Sequence, residues 1–171
     1  MERSALVDSL GSDFPTELAD LMGRVAATDG TLPPESVPPG VDVELIVHDG
    51  HAPGHTAVWL PRQRVLLAGD MLSDIELPLP FAPDDLPSYV AALDLLAPFA
   101  AQAGVIVPGH GTVGSDALVR LDADRRYLDD MIRSGSSNDP RVGLPGMADA
   151  HARVRRIARE LRRGDRPAAT P

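Results

Sequence analysis

Apolar residues recur along this chain in two rhythms. The first is extended. Val41, Val43, Leu45 and Val47 alternate with Asp42, Glu44 and Ile46, and the runs Thr56 to Leu60 and Arg64 to Ala68 follow. Gly104 to Val107 is a brief, wholly apolar burst. Alternation and short apolar runs bounded by turn residues predict strands. The links between the first three, His51-Ala52-Pro53-Gly54-His55 and Pro61-Arg62-Gln63, are too short for a parallel crossover. Those three strands are therefore expected as consecutive antiparallel neighbours.

The second rhythm is helical. Leu18, Leu21, Met22 and Val25 repeat after Pro15, predicting a helix over 15–27. A proline-rich loop follows, through Pro33, Pro34, Pro38, Pro39 and Gly40. A helix starting near Pro87-Ser88 turns Val90, Leu93, Leu96 and Phe99 inward. Another, from about Ser115 to Ile132, has Leu118, Leu121, Tyr127, Leu128 and Met131 as its expected buried positions. Ser134 to Pro145 reads as a polar loop, and the last helix, about 147–162, carries Val154, Ile157, Ala158 and Leu161 on one face. Strands and helices in this order make an α/β fold. A single domain over 1–163 is expected, with 164–171 as a disordered tail.

Composition narrows the chemistry. The chain has 171 residues, 43% of them hydrophobic and 24% charged, enough to bury a core. No apolar run approaches the roughly 18 residues of a membrane span, and Met1-Glu2-Arg3-Ser4 does not open a signal peptide. A cytoplasmic location is the expectation. There is no cysteine, so thiol nucleophiles and thiolate metal sites are excluded, and any metal must be held by His and carboxylate. There is no lysine either; with heavy use of Ala, Pro and Gly this suggests a GC-rich bacterial genome.

The net charge of −9 is uneven. Residues 1–111 hold 4 Arg against 16 acids, and residues 112–171 hold 12 Arg against 9 acids. An acidic body argues against nucleic acid as the main partner. Arg153, Arg155, Arg156, Arg159, Arg162 and Arg163 read as the solvated face of a docked helix.

Three segments share one design, in which an extended run ends and a metal-capable side chain appears in the following turn. They are Ala52-Pro53-Gly54-His55-Thr56, Leu66-Leu67-Ala68-Gly69-Asp70, and Val105-Ile106-Val107-Pro108-Gly109-His110-Gly111. Imidazole and carboxylate suit Zn²⁺ or Fe²⁺, and the glycines let the backbone turn sharply. Each signal alone is weak; the three in this order are not.

In this order the segments resemble the C-terminal half of the metallo-β-lactamase superfamily, from about Val41 to Tyr127. The tail pattern Tyr127-Leu128-Asp129-Asp130, Asp139-Pro140-Arg141 and His151 is similar to its bacterial members. The resemblance implies half of an αββα sandwich, one mixed sheet with covering helices. It also implies His55 and His110 as ligands of two zinc ions (Fe²⁺ or Mn²⁺ being alternatives), with Asp70 bridging them as the catalytic carboxylate. The implied chemistry is attack by a metal-bridging hydroxide on an ester, thioester, lactone or amide of a small molecule, as in the glyoxalase II branch. The family's His-x-His-x-Asp-His motif is absent, since residues 1–47 contain no histidine, so the chain reads as a truncated domain with two ligands per metal. A non-catalytic remnant or interaction module is the rival expectation.

The remaining candidates are weaker. His51 reads first as a turn histidine, His48 as a strand-edge residue and His151 as a surface or packing residue. Asp74 reads as a brace for its loop; His51, Asp74 and His151 are the candidates to support the ligands from behind. The apolar face left by the missing sheet would be exposed, which predicts self-association.

Overall fold

The structure, a computed structural model, describes residues 31–81 and 85–164. The expected helix at 15–27 and the tail beyond 164 lie outside them. The chain divides into two units at Leu32/Pro33, and the second is described by itself. A 3₁₀ turn at Pro34–Ser36 leads to β1 (Glu44–His48), β2 (His55–Leu60) and β3 (Val65–Gly69). Then come α1 (Asp85–Gln102), β4 (Val105–Pro108), α2 (Ala117–Arg133), a 3₁₀ turn at Pro140–Gly143 and α3 (Met147–Gly164).

The strands form one sheet in the order β1-β2-β3-β4. β1, β2 and β3 pair antiparallel, as their short links require, and β4 returns parallel to β3 after the α1 crossover. The sheet is thus mixed, with helices, as expected of a partial αββα fold.

Register decides which chemistry meets. His48 pairs with His55 across β1 and β2, and Val58 pairs with Leu67 across β2 and β3. The end of β3 therefore lies beside the start of β2. Gly69 in turn pairs with Pro108, so β3 and β4 finish together. The end of β1, the start of β2 and the ends of β3 and β4 make one rim, and each is followed or begun by a His or Asp.

One face of the sheet is buried through Ile46, Ala57, Trp59, Leu66, Ala68 and Ile106. Leu86, Tyr89, Leu93 and Leu96 of α1 and Leu121, Tyr127, Leu128 and Met131 of α2 complete the core with Val154, Ile157 and Ala158 of α3. Fully burying each large aliphatic contributes about 1.5–3 kcal/mol. On the opposite face Leu45, Val58, Val65, Leu67, Val105 and Val107 are half-buried, and Val47 is exposed.

Three expectations need correction. Leu118 is 41% exposed, because α2 turns Ala117, Leu121, Asp124, Leu128 and Met131 inward and Leu118 falls to the side of that stripe. Arg162 is not a solvated charge: its Nη1 donates to the carbonyls of Met131 and Ile132, closing the C-terminal end of α2. The segment 134–145 is polar but not merely a surface loop, since it plants Arg141 in the interior at 6% exposure.

Candidate metal centre

Asp70 stands immediately after β3, with its carboxylate between two imidazoles. Its Oδ1 lies 3.5 Å from His110 Nε2, and its Oδ2 lies 3.7 Å from His51 Nε2. His55 approaches from behind: its Nε2 accepts the Asp70 amide N–H at 3.1 Å. The structure thus brings His55, Asp70 and His110 to one rim, and adds His51. Glu76 reaches the far side of His110, 3.8 Å from its Nδ1. Glycines permit the crowding. Gly69 adopts φ +56, and a Cβ there would lie 2.6 Å from the His55 ring. A Cβ on Gly109 would overlap Asp70 Oδ1.

A file of hydrogen bonds runs behind the rim. Gly50 N–H donates to His48 Nδ1 at 3.2 Å, and His48 Nε2 faces His55 Nδ1 at 3.4 Å. The two outer nitrogens, His48 Nδ1 and His55 Nε2, both accept backbone protons. Neutral rings must then carry their own protons on the inner pair, where two N–H groups would meet. All three contacts cannot be hydrogen bonds at once. A further proton on either ring would aggravate this. Burial, then the neighbouring His55, lowers the His48 pKa to about 4; burial, then His51, lowers that of His55.

Two arginines hold the loops in place: Arg120, which carried no signal in the sequence, and Arg141, which stood there only within the Asp139-Pro140-Arg141 pattern. Arg141 Nη1 donates to the carbonyls of Ser73 and Glu76, both at 2.9 Å, fixing the segment that follows Asp70. The same guanidinium meets Asp124 of α2 at 2.7 Å and Asp139 at 2.8 Å. Burial raises the Asp124 carboxyl above its ordinary value, with Arg141 pulling against it. Arg120 Nη1 donates to Asp74 Oδ1 at 3.3 Å and to the Thr112 carbonyl at 2.9 Å. Asp74 also takes the Thr112 amide and hydroxyl, so it ties the Asp70 loop to the His110 loop. Burial pushes the Asp74 carboxyl up, but Thr112 and Arg120 outweigh it and leave it below its usual range.

The other candidates sit further off. His151 Nδ1 contacts the Tyr127 hydroxyl at 3.1 Å and the ring packs on Tyr127, on α2. Thr56 turns its hydroxyl to the Gly54 carbonyl, and Ser73 Oγ accepts the amides of Ile75 and Glu76. His48 stands on the edge strand β1 as expected, yet it is buried. A cavity of about 420 Å³ lies between α2 and residues 137–141, with Asp74 and Arg120 but not Asp70 in its wall.

The donors are of the right kind for a borderline cation such as zinc. Their number is short. Among the described residues no group of three His, Asp or Glu gathers round one point. One imidazole flanks each Asp70 oxygen, giving two donors per position where catalytic zinc normally has about three.

The sequence pattern of the metallo-beta-lactamase superfamily matches residues 27–110, which contain all of β1 to β4 and the rim residues from His48 to His110. No curated protein matches the chain. Among solved structures, a metallo-beta-lactamase family protein from Thermus thermophilus superposes with a TM-score of 0.56 at 23% identity. The alignment covers 73% of this chain and 45% of that one. A stereoselective inverting sec-alkylsulfatase from Pseudomonas sp. gives 0.51 at 17% identity, covering 72% of this chain and 24% of that one. The chain therefore spans less than half the length of either, and at these identities the likeness is one of fold. Sequence pattern and fold converge on the same strands and the same rim: the chain matches the metallo-β-lactamase superfamily pattern over residues 27–110 and shares that superfamily's fold, which is of the metal-dependent hydrolase type.

Proposed function

We propose that this chain carries half of the metal-holding rim of a zinc-dependent hydrolase, similar to the glyoxalase II branch, that cleaves an ester, thioester, lactone or amide of a small molecule. The observation that supports this best is the Asp70 carboxylate with one imidazole facing each oxygen, His110 at 3.5 Å and His51 at 3.7 Å. A carboxylate flanked in this way suits sharing between two cations, each oxygen serving one. Zinc, when bound, supplies Lewis acidity and lowers the pKa of water.

The chain's own residues do the positioning. Asp70, His110 and His51 supply the donors that flank the shared positions, while His55 fixes the Asp70 backbone through its amide and can serve as a ligand only where that bond opens. Arg141 and Asp74 hold the two loops at a set separation. A site with three protein donors needs donors beyond these.

A second reading, a remnant or interaction module without turnover, is favoured by one observation: no three donors gather among the described residues. Metal content separates the two. The purified chain, dialysed against zinc, is measured beside His55→Ala and Asp70→Ala and assayed on an ester and thioester panel. The hydrolase reading expects stoichiometric zinc, lost in both variants, with hydrolysis by the parent. No zinc and no hydrolysis in any of the three leaves the remnant.

A further inference from the structure

The loop that follows Asp70 packs inward along most of its length and ends on a side chain that does not. Met71, Leu72, Ser73, Leu77, Pro78 and Pro80 are buried, yet Phe81 is 54% exposed. Its backbone is fixed all the same, since its N–H donates to Asp85 Oδ2 at the start of α1, at 3.2 Å. The ring leads back to the rim. It meets the His51 ring edge-on, with centroids 5.9 Å apart, and His51 Nε2 lies 3.7 Å from Asp70 Oδ2. It also leads outward, because the guanidinium carbon of Arg153, on α3, lies over it at 5.5 Å from the centroid. We infer that Phe81 and Arg153 form a binding wall beside the Asp70 rim, which takes a small molecule with an apolar body and a terminal carboxylate.

Two features make this a surface for a ligand rather than a staple between loop and helix. The first is what the contacts leave open. A ring that only pinned α3 to the loop would be covered by them, but more than half of Phe81 still faces solvent. The second is an unpaired charge. Among the described residues no carboxylate pairs with the exposed Arg153; even Asp149, one turn earlier on α3, forms no ion pair with it. Val154 beside it is fully buried, so the guanidinium stands on an anchored helix. A guanidinium over an aromatic face keeps its N–H edge for an acceptor, and its fork matches a carboxylate. The polarity of the ligand follows. Its apolar body packs on the ring, and its carboxylate lies at the Arg153 end, because the Asp70 carboxylate repels it from the other.

The wall binds its ligand without a metal; its part in choosing what is cleaved rests on the hydrolase reading above. Binding is read first, from ¹H–¹⁵N shifts of the full chain titrated with 3-phenylpropionate and with its neutral amide, 3-phenylpropionamide. Shifts should centre on His51, Phe81 and Arg153, and the acid should bind about fivefold or more tighter than the amide. Arg153→Gln should bring the acid down to the level of the amide, and Arg153→Lys should restore part of the difference. Phe81→Ala should weaken both ligands, and Arg159→Gln, at an exposed position of the same helix, should change neither. Equal binding of acid and amide, a difference that survives Arg153→Gln, or shifts that centre elsewhere overturns the inference. Hydrolysis by the zinc-dialysed chain is read second, on monophenyl succinate and on neutral phenyl butyrate. The preference in kcat/KM for the acid-bearing ester should fall about fivefold or more in Arg153→Gln. A preference left unchanged there overturns the specificity role. Absence of hydrolysis in the parent counts against the hydrolase reading and leaves the titration to judge the wall.

Discussion

Asp74 bridges to Thr112 with both carboxylate oxygens, taking the amide at 2.9 Å and the hydroxyl at 2.5 Å across 38 residues of sequence. The loop after Asp70 and the loop after His110 are joined there, and Arg120, 6% exposed, backs the joint. Gly111 has φ +107, and a Cβ on it would overlap the Asp74 carboxylate, so the joint also needs a glycine. Asp74→Ala removes the acceptor of the exposed Thr112 amide and hydroxyl, which then turn to water, and a partner of the buried Arg120. It should cost about 1–3 kcal/mol in urea denaturation, and Thr112→Val, which loses the hydroxyl bond alone, should cost less. Equal stability of Asp74→Ala and parent would show that the joint carries nothing.

Arg141 should be the more sensitive position. Its guanidinium reaches α2 through Asp124, its own turn through Asp139, and the rim loop through two carbonyls. Replacement by Met leaves Asp124, 1% exposed, without its cation. Breaking such a buried pair costs about 3–5 kcal/mol. The double variant Arg141→Met/Asp124→Asn should recover part of that loss, because the stranded charge is gone. A strictly additive double variant would refute the coupling.

The convergence of the rim was legible in the sequence because each candidate sits at a strand end and short links fix strand direction. Two antiparallel steps and one parallel return bring the end of β1, the start of β2 and the ends of β3 and β4 to one side. The face of a strand is harder to read. Val41, Val43, Leu45 and Val47 form an apolar series, yet Ile46 and His48 are the buried pair in β1, and Val47 is 46% exposed. A one-residue shift exchanges faces, and a buried histidine defeats hydropathy as a guide. The same failure misplaced Leu118: the inward stripe of α2 includes Asp124 and is bordered by buried Arg120, so polarity disguised its phase. Arg141 gave a local signal only through Asp139, two residues before it; its other partners lie 17, 65 and 68 residues away. Glu76 was missed as a neighbour of the rim, and His51 was expected only as a support from behind, for a related reason: loop side chains carry no periodicity to say where they point.

Gly69 tests the link between backbone and rim. Its φ of +56 disfavours any residue with a Cβ by about 1–2 kcal/mol, and the added carbon would stand 2.6 Å from His55 Cε1 and Nε2. In Gly69→Ala the His55 ring must move, and the Asp70 amide loses its acceptor. The expected result is lower stability together with shifted His55 ring and Asp70 amide resonances. Gly40→Ala serves as the comparison: it shares a positive φ of +80, and nothing beyond its chain neighbours lies within 4 Å of the added carbon. It should lose stability through strain alone and leave the His55 ring resonances in place.

The histidine file predicts how stability responds to acid. His48 is 7% exposed, and its pKa falls from 6.5 to about 4 on folding, first through burial and then through His55. Between those values the unfolded chain binds a proton that the folded chain refuses, so stability rises with pH across the window. Its contribution is complete above pH 6.5 and is lost as pH falls toward 4, up to about 3 kcal/mol over the whole interval. His55, lowered in the same direction, steepens the loss, while Asp74 and Asp139, lowered by their partners, act further to the acid side. Urea denaturation at about pH 7 and about pH 5 should show a smaller difference for His48→Gln than for the parent. The side-chain amide introduced by that substitution can accept from the Gly50 N–H without gaining a charge. If both proteins lost stability equally between the two pH values, the buried imidazole would not be the group that responds.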